Sequence, residues 1–149
     1  NFSANNLNQS TDSEAGFTLD PRLAADCLTI TDLQLCRVLL MNDRRYPWII
    51  LVPRRANIRE IHHLPREDQS ILMREITNTS KILEDEFTPD KLNVGALGNI
   101  VSQLHIHIIV RNDGDFAWPG PVWGNGTPSP YSETSAQALL HNFKLQFID

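Results

Sequence analysis

A chain of 149 residues, 41% of them hydrophobic, is long enough for one globular domain with a real core. Its net charge of −5 and pI near 5.5 exclude a nucleic-acid coat, because phosphate backbones demand a basic face. No apolar run reaches the length of a membrane span and no basic-then-apolar leader opens the chain, so a cytoplasmic protein without a membrane partner is expected.

In chain order, residues 1–16 are rich in Asn, Ser, Gln, Asp and Thr without any period, and a flexible N-terminal arm is expected there. Asp20-Pro21 is a helix start, with Leu23 and Ala24 as its short apolar contact. Cys27 and Cys36, with nothing secretory beside them, read as reduced thiols. Thr29 to Asp32 is polar and turn-like. Leu33 to Met41 reads as a strand, Asn42 to Arg45 as a turn, and Trp48 to Val52 as a second strand stopped at Pro53. The dense aliphatic content of this hairpin places both strands centrally in a sheet.

Arg54 to His63 is a connection. Pro65-Arg66-Glu67-Asp68 opens the one long helix, with acids where the helix dipole favours them. Ile71, Leu72, Ile76, Thr79, Leu83 and Phe87 recur at helical spacing, and Thr88-Pro89-Asp90 ends the run. Lys91 to Val94 begins the next strand. From Arg111 to Pro130 the chain is loop-like, and Ser132 or Ser135 caps a last helix with Ala136, Leu139, Leu140 and Phe143 inward. Strand, strand, long helix, strand, strand predicts an α+β fold. Its antiparallel sheet has about five strands and is covered on one face. Residues 17–111 form the core, and 112–149 a loop and helix packed on the same domain or on a dimer partner.

The chemistry concentrates in Gln103-Leu104-His105-Ile106-His107-Ile108-Ile109-Val110. It alternates as a half-buried strand does, with Leu104, Ile106, Ile108 and Val110 on one side and Gln103, His105 and His107 on the other. Just upstream, Asn93 to Asn99 is a strand end and a turn whose glycines let backbone approach a ligand closely. Two imidazoles beside such a turn can work on a phosphate or bind a metal. The arginines available to a small phosphorylated ligand are Arg44, Arg45, Arg54, Arg55 and Arg111. His-x-His is a common zinc pair, but no further ligand follows within a few residues, and His62, His63 and His141 would have to converge from elsewhere. No metal or cofactor is expected.

The ordered set resembles the histidine triad (HIT) superfamily, whose signature is His-φ-His-φ-His-φ-φ with φ apolar. The chain is similar to the bacterial Gln-Leu-His-x-His type, to diadenosine polyphosphate hydrolases and to histidine-triad nucleotide-binding proteins. The resemblance spans about Phe17 to Trp123 and includes Leu51-Val52-Pro53-Arg54, Asn93, Gly98-Asn99 and Trp118-Pro119-Gly120-Pro121. It implies hydrolysis or transfer of a nucleotidyl group at an α-phosphate, through a covalent nucleotidyl-histidine. His105 would be the nucleophile, and His107 would hold the phosphate, with Gln103 as the third member of the catalytic set. Asn42 and Asp43 would meet the ribose hydroxyls, and Asn93, Gly98, Asn99 and Ile100 would line the nucleotide loop. A homodimer is implied as well.

Three positions depart from the family: Gln103 stands for the first triad histidine, and Trp48 and Ala56 for two further histidines. Gln103 cannot take up a proton near neutral pH, and a lost general acid costs typically about 10²–10⁴ in rate. The alternative function is therefore a nucleotide-binding module with little turnover, and a His-x-His metalloprotein stands behind it.

Overall fold

In this computed structural model, which describes residues 16–148, the chain runs α1 (Pro21–Asp26), β1 (Cys27–Asp32), β2 (Cys36–Met41), β3 (Trp48–Pro53), a 3-10 turn (Ile61–His63), α2 (Arg66–Phe87), β4 (Lys91–Gly95), β5 (Ile106–Arg111) and α3 (Glu133–Gln146). The arm expected over 1–16 lies, apart from Gly16, outside the described residues. The five strands form one antiparallel sheet in the order β1-β2-β3-β5-β4, so the fold is the α+β architecture expected.

Alternation along the central strands sorts side chains to two faces. Val38 and Leu40 of β2, Ile49 and Leu51 of β3, and Ile106, Ile108 and Val110 of β5 join Leu72 and Leu83 of α2 and Phe143 of α3 in one core. Leu39, Trp48, Ile50, Val52 and Ile109 face the other way, under Phe17, Leu23 and Val122. Both faces are therefore buried, where one was expected. The second cover comes from the N-terminal segment and the tail, neither of which has a hydrophobic period to announce it.

Two elements differ in detail. Thr29 to Asp32 is not a turn but part of the edge strand β1, whose pairing with β2 shifts register between Thr29 and Thr31. An edge strand with a bulge keeps polar residues outward and breaks its own alternation, which hid it. β2 starts at Cys36 rather than Leu33 because the amides of Leu35 and Cys36 are taken by Glu75 Oε2 and Oε1, at 3.0 and 2.9 Å. Glu75 sits in the buried stripe of α2 with Asp68, Leu72, Thr79 and Leu83. This carboxylate fastens the long helix to the sheet.

Candidate active site

β5 does not begin until Ile106, so Gln103 to His105 approach it as irregular chain, pinned where Leu104 N donates to the Ile58 carbonyl at 2.9 Å. His105 and His107 nevertheless lie together, ring centroids 4.9 Å apart, and both are buried with 6% and 7% exposure. Their partners differ in kind. His105 Nδ1 lies 2.7 Å from the main-chain carbonyl of Gln103, which can only accept, so Nδ1 carries a hydrogen, and in the neutral ring the lone pair is on Nε2. The indole Nε1–H of Trp48 donates to His107 Nδ1 at 3.0 Å, so the His107 hydrogen sits on Nε2. Burial, and then the neighbouring His105, push the His107 pKa down to about 3, so this ring is neutral over the physiological range. Adjacent imidazoles thus present opposite edges, one a nucleophile and one a hydrogen-bond donor.

A cavity of about 530 Å³ opens over this pair. Its floor is the second sheet face: Cys27, Met41, Trp48, Ile50 and the two histidines. Its walls are Arg22, Leu23 and Asp26 of α1, the turn Leu97 to Val101, and the tail from Val122 to Gly126. Gly98 has φ +73°, a conformation that suits glycine, and residues 96–105 lie outside the sheet ladder, so their amides are not committed to strand pairing. The Trp123 ring meets His107 edge-on at 5.2 Å. Cys27 contributes an apolar part of that floor, since burial, reinforced by Asp26, pushes its thiol up to about 12.

The expected site residues divide. His105, His107, Asp43, Gly98, Asn99 and Ile100 line the cavity. Asn42, Asn93 and Gln103 do not. Asn42 Oδ1 accepts from Tyr131 N at 2.9 Å and so holds the tail. Asn93 Oδ1 accepts from Arg111 at 2.8 Å. The Gln103 side chain turns toward the N-terminal segment. Asp43 is wholly buried: burial alone would raise its carboxyl, but hydrogen bonds from Arg45 and Ser129 more than offset this and hold it below the ordinary range. Arg45, Arg55 and Arg111 each pair with a carboxylate of the chain, Asp43, Asp68 and Asp115 respectively, all at 2.8 Å. Arg22 is the basic wall residue that sequence reasoning missed. So is the role of Trp48, whose place on the face of His107 follows once β3 is paired with β5. Among the described residues no three His, Cys, Asp or Glu side chains gather as a metal set. None of the described helices is long and apolar enough to cross a membrane.

The HIT domain family model matches residues 22–114. The chain is similar to solved histidine triad proteins of three bacteria. The one from Marinobacter aquaeolei VT8 is 49% identical over 87% of this chain and 95% of its own, with a TM-score of 0.85. That from Sinorhizobium meliloti 1021 is 46% identical over 88% and 97%, TM-score 0.85. That from Bradyrhizobium japonicum is 44% identical over 87% and 96%, TM-score 0.84. No curated protein sequence matches the chain.

Proposed function

The chain belongs to the histidine triad (HIT) family, and on that premise we propose that it is a nucleotidyl hydrolase or transferase acting at an α-phosphate through His105. The observation that carries this reading is the pair of opposite tautomers. His105 Nε2, its lone pair free because Nδ1 donates to the Gln103 carbonyl, attacks phosphorus without needing a base. His107 Nε2–H, fixed by Trp48, and the amides of the Gly98 turn donate to the phosphoryl oxygens as their charge grows. The N–P bond forms as the bond from phosphorus to the leaving group breaks. Water then attacks phosphorus, the electron pair returns to Nε2, the nucleoside monophosphate departs and the water's proton goes to solvent.

The leaving group follows from what the cavity lacks. His107 is neutral and the Gln103 side chain faces elsewhere, so neither is placed to protonate a departing amine. A leaving group that departs as a stable anion suits such a site, which favours a dinucleoside polyphosphate of the diadenosine tetraphosphate kind over a nucleoside phosphoramidate. From β5 through β3 and β2 to β1 are three strand spacings, about 14 Å at ~4.8 Å each. That is the reach from a phosphate over the histidines, through a ribose near Asp43, to a base between Leu23, Cys27 and Met41. The same geometry with slow turnover would serve a nucleotide-binding module, a reading favoured by the absence of a titratable group at position 103.

The homodimer is proposed from β4. Of the two edges of the sheet, β1 is packed by α1 and α3 while β4 has no helix against it among the main element contacts, and exposed Val94 on it continues into exposed Leu97 and Ile100. Two buried free thiols, Cys27 and Cys36, fit a reducing, cytoplasmic setting.

Incubation with diadenosine tetraphosphate tests the enzymatic claim. AMP should appear, and His105→Ala should cut its release by about 10³-fold or more, as loss of a nucleophile does. AMP release indifferent to His105 refutes the mechanism; AMP binding with no release supports the binding module.

A further inference from the structure

The residue at the first triad position works away from the cavity. Gln103 Oε1 accepts from Asp20 N at 2.9 Å, and Gln103 Nε2 donates to the Thr18 carbonyl at 2.9 Å, across 83 and 85 positions of sequence. One carboxamide thereby offers the paired acceptor and donor that a peptide group offers in a sheet ladder. A glutamate could not donate to Thr18. An imidazole holds its two nitrogens on different edges of a ring and does not reproduce the pair. Asp20 in turn caps α1, accepting from Arg22 N at 2.8 Å, and α1 supplies Arg22, Leu23 and Asp26 to the cavity wall. Six helical residues do not persist by themselves, so the place of α1 depends on what ties its leading turn to the body. Buried Phe17 and Leu23 are its apolar ties, Asn42 N holds its far end at the Asp26 carbonyl, 3.1 Å, and Gln103 is the polar tie of its leading end.

We propose that Gln103 is a positioning residue: its side chain, bridging Asp20 and Thr18, fixes the α1 wall at the base end of the cavity. This rests on the nucleotide reading above and deepens it. The glutamine is then not a weakened proton donor but a staple, and no proton moves at its side chain. Consistent with this, the side chain borders a separate space of about 330 Å³, shared with Thr18, Asp20 and Asn57, rather than the cavity of the histidines.

The test compares wild type with Gln103→Ala, Gln103→Glu and Gln103→His. AMP affinity is read by calorimetry, kcat and KM with diadenosine tetraphosphate, and amide hydrogen exchange over residues 17–27. Gln103→Ala should raise the AMP Kd and the KM about tenfold while kcat stays within about threefold, the pattern of lost uniform binding. Exchange over 21–27 should quicken about tenfold or more as α1 comes loose. Gln103→Glu, which keeps the acceptor for Asp20 and loses the donor, should fall between, and it carries the test if the alanine variant does not fold. Gln103→His should gain no rate. A kcat loss of about 10² at unchanged KM, or a rate gain in Gln103→His, overturns the proposal by placing the side chain at the leaving group. Unchanged exchange over 21–27 overturns it too. If wild type binds no nucleotide, the nucleotide reading falls while the exchange experiment still decides the staple.

Discussion

A carbonyl oxygen beside one imidazole and an indole N–H beside the other determine what each ring can do. Trp48 is buried, and its hydrogen bond keeps His107 Nδ1 bare and Nε2 protonated. Trp48→Phe keeps the ring and deletes the donor, so His107 is free to take the other tautomer. Losing one aligned donor to a developing charge should lower kcat by about tenfold to 10²-fold, with AMP affinity little changed, in steady-state kinetics and calorimetry. His107 also bears on acid stability. Its ordinary value of 6.5 holds in the unfolded chain, while burial and His105 bring it to about 3 in the folded one. Between those values the unfolded chain binds a proton that the native state refuses. The stability due to neutral His107 is therefore complete above pH 6.5 and is lost as pH falls toward 3. Urea melts at pH 7 and pH 4 should show wild type losing on the order of 3 kcal/mol more than His107→Gln. Both histidines and the glycine turn were legible in the sequence from alternation and composition. The direction of Gln103 was not, because the three residues ahead of β5 alternate in sequence while their chain is not pleated.

The long helix and the central hairpin announced themselves through period and aliphatic density, and both are present, with β2 beginning three residues later than that density alone indicates. The strand β1 and the second cover of the sheet did not, since a bulged edge strand and an aperiodic tail bury their few apolar residues singly. Glu75 was also silent: a glutamate within a helical stripe reads as solvated until the turn before β2 is known to need its oxygens. With both carboxylate oxygens accepting buried amides, Glu75→Ala leaves two donors unsatisfied and should cost about 3 kcal/mol in urea unfolding. Glu75→Gln, which keeps one acceptor, should cost about half of that. Equal, negligible losses in both would mean that α2 is held by its apolar stripe alone.

At the scale of the whole molecule, an antiparallel sheet buried on both faces carries a cavity across three of its strand spacings, with the two histidines at one end and a short helix at the other. Of its two edges, β4 is the one that carries exposed Val94. Light scattering should give the mass of two chains, and Val94→Lys, which sets a charge on that edge, should give the mass of one. A wild-type monomer contradicts the pairing but leaves the site within a single chain untouched. Two adjacent imidazoles held as opposite tautomers are the centre of the site, and nitrogen-15 NMR of the histidine side chains at neutral pH reads them directly. It should show His105 with the hydrogen on Nδ1 and a bare Nε2, and His107 with a bare Nδ1 and the hydrogen on Nε2. The same tautomer on both rings, or a His107 protonated on both nitrogens at pH 7, would contradict that arrangement.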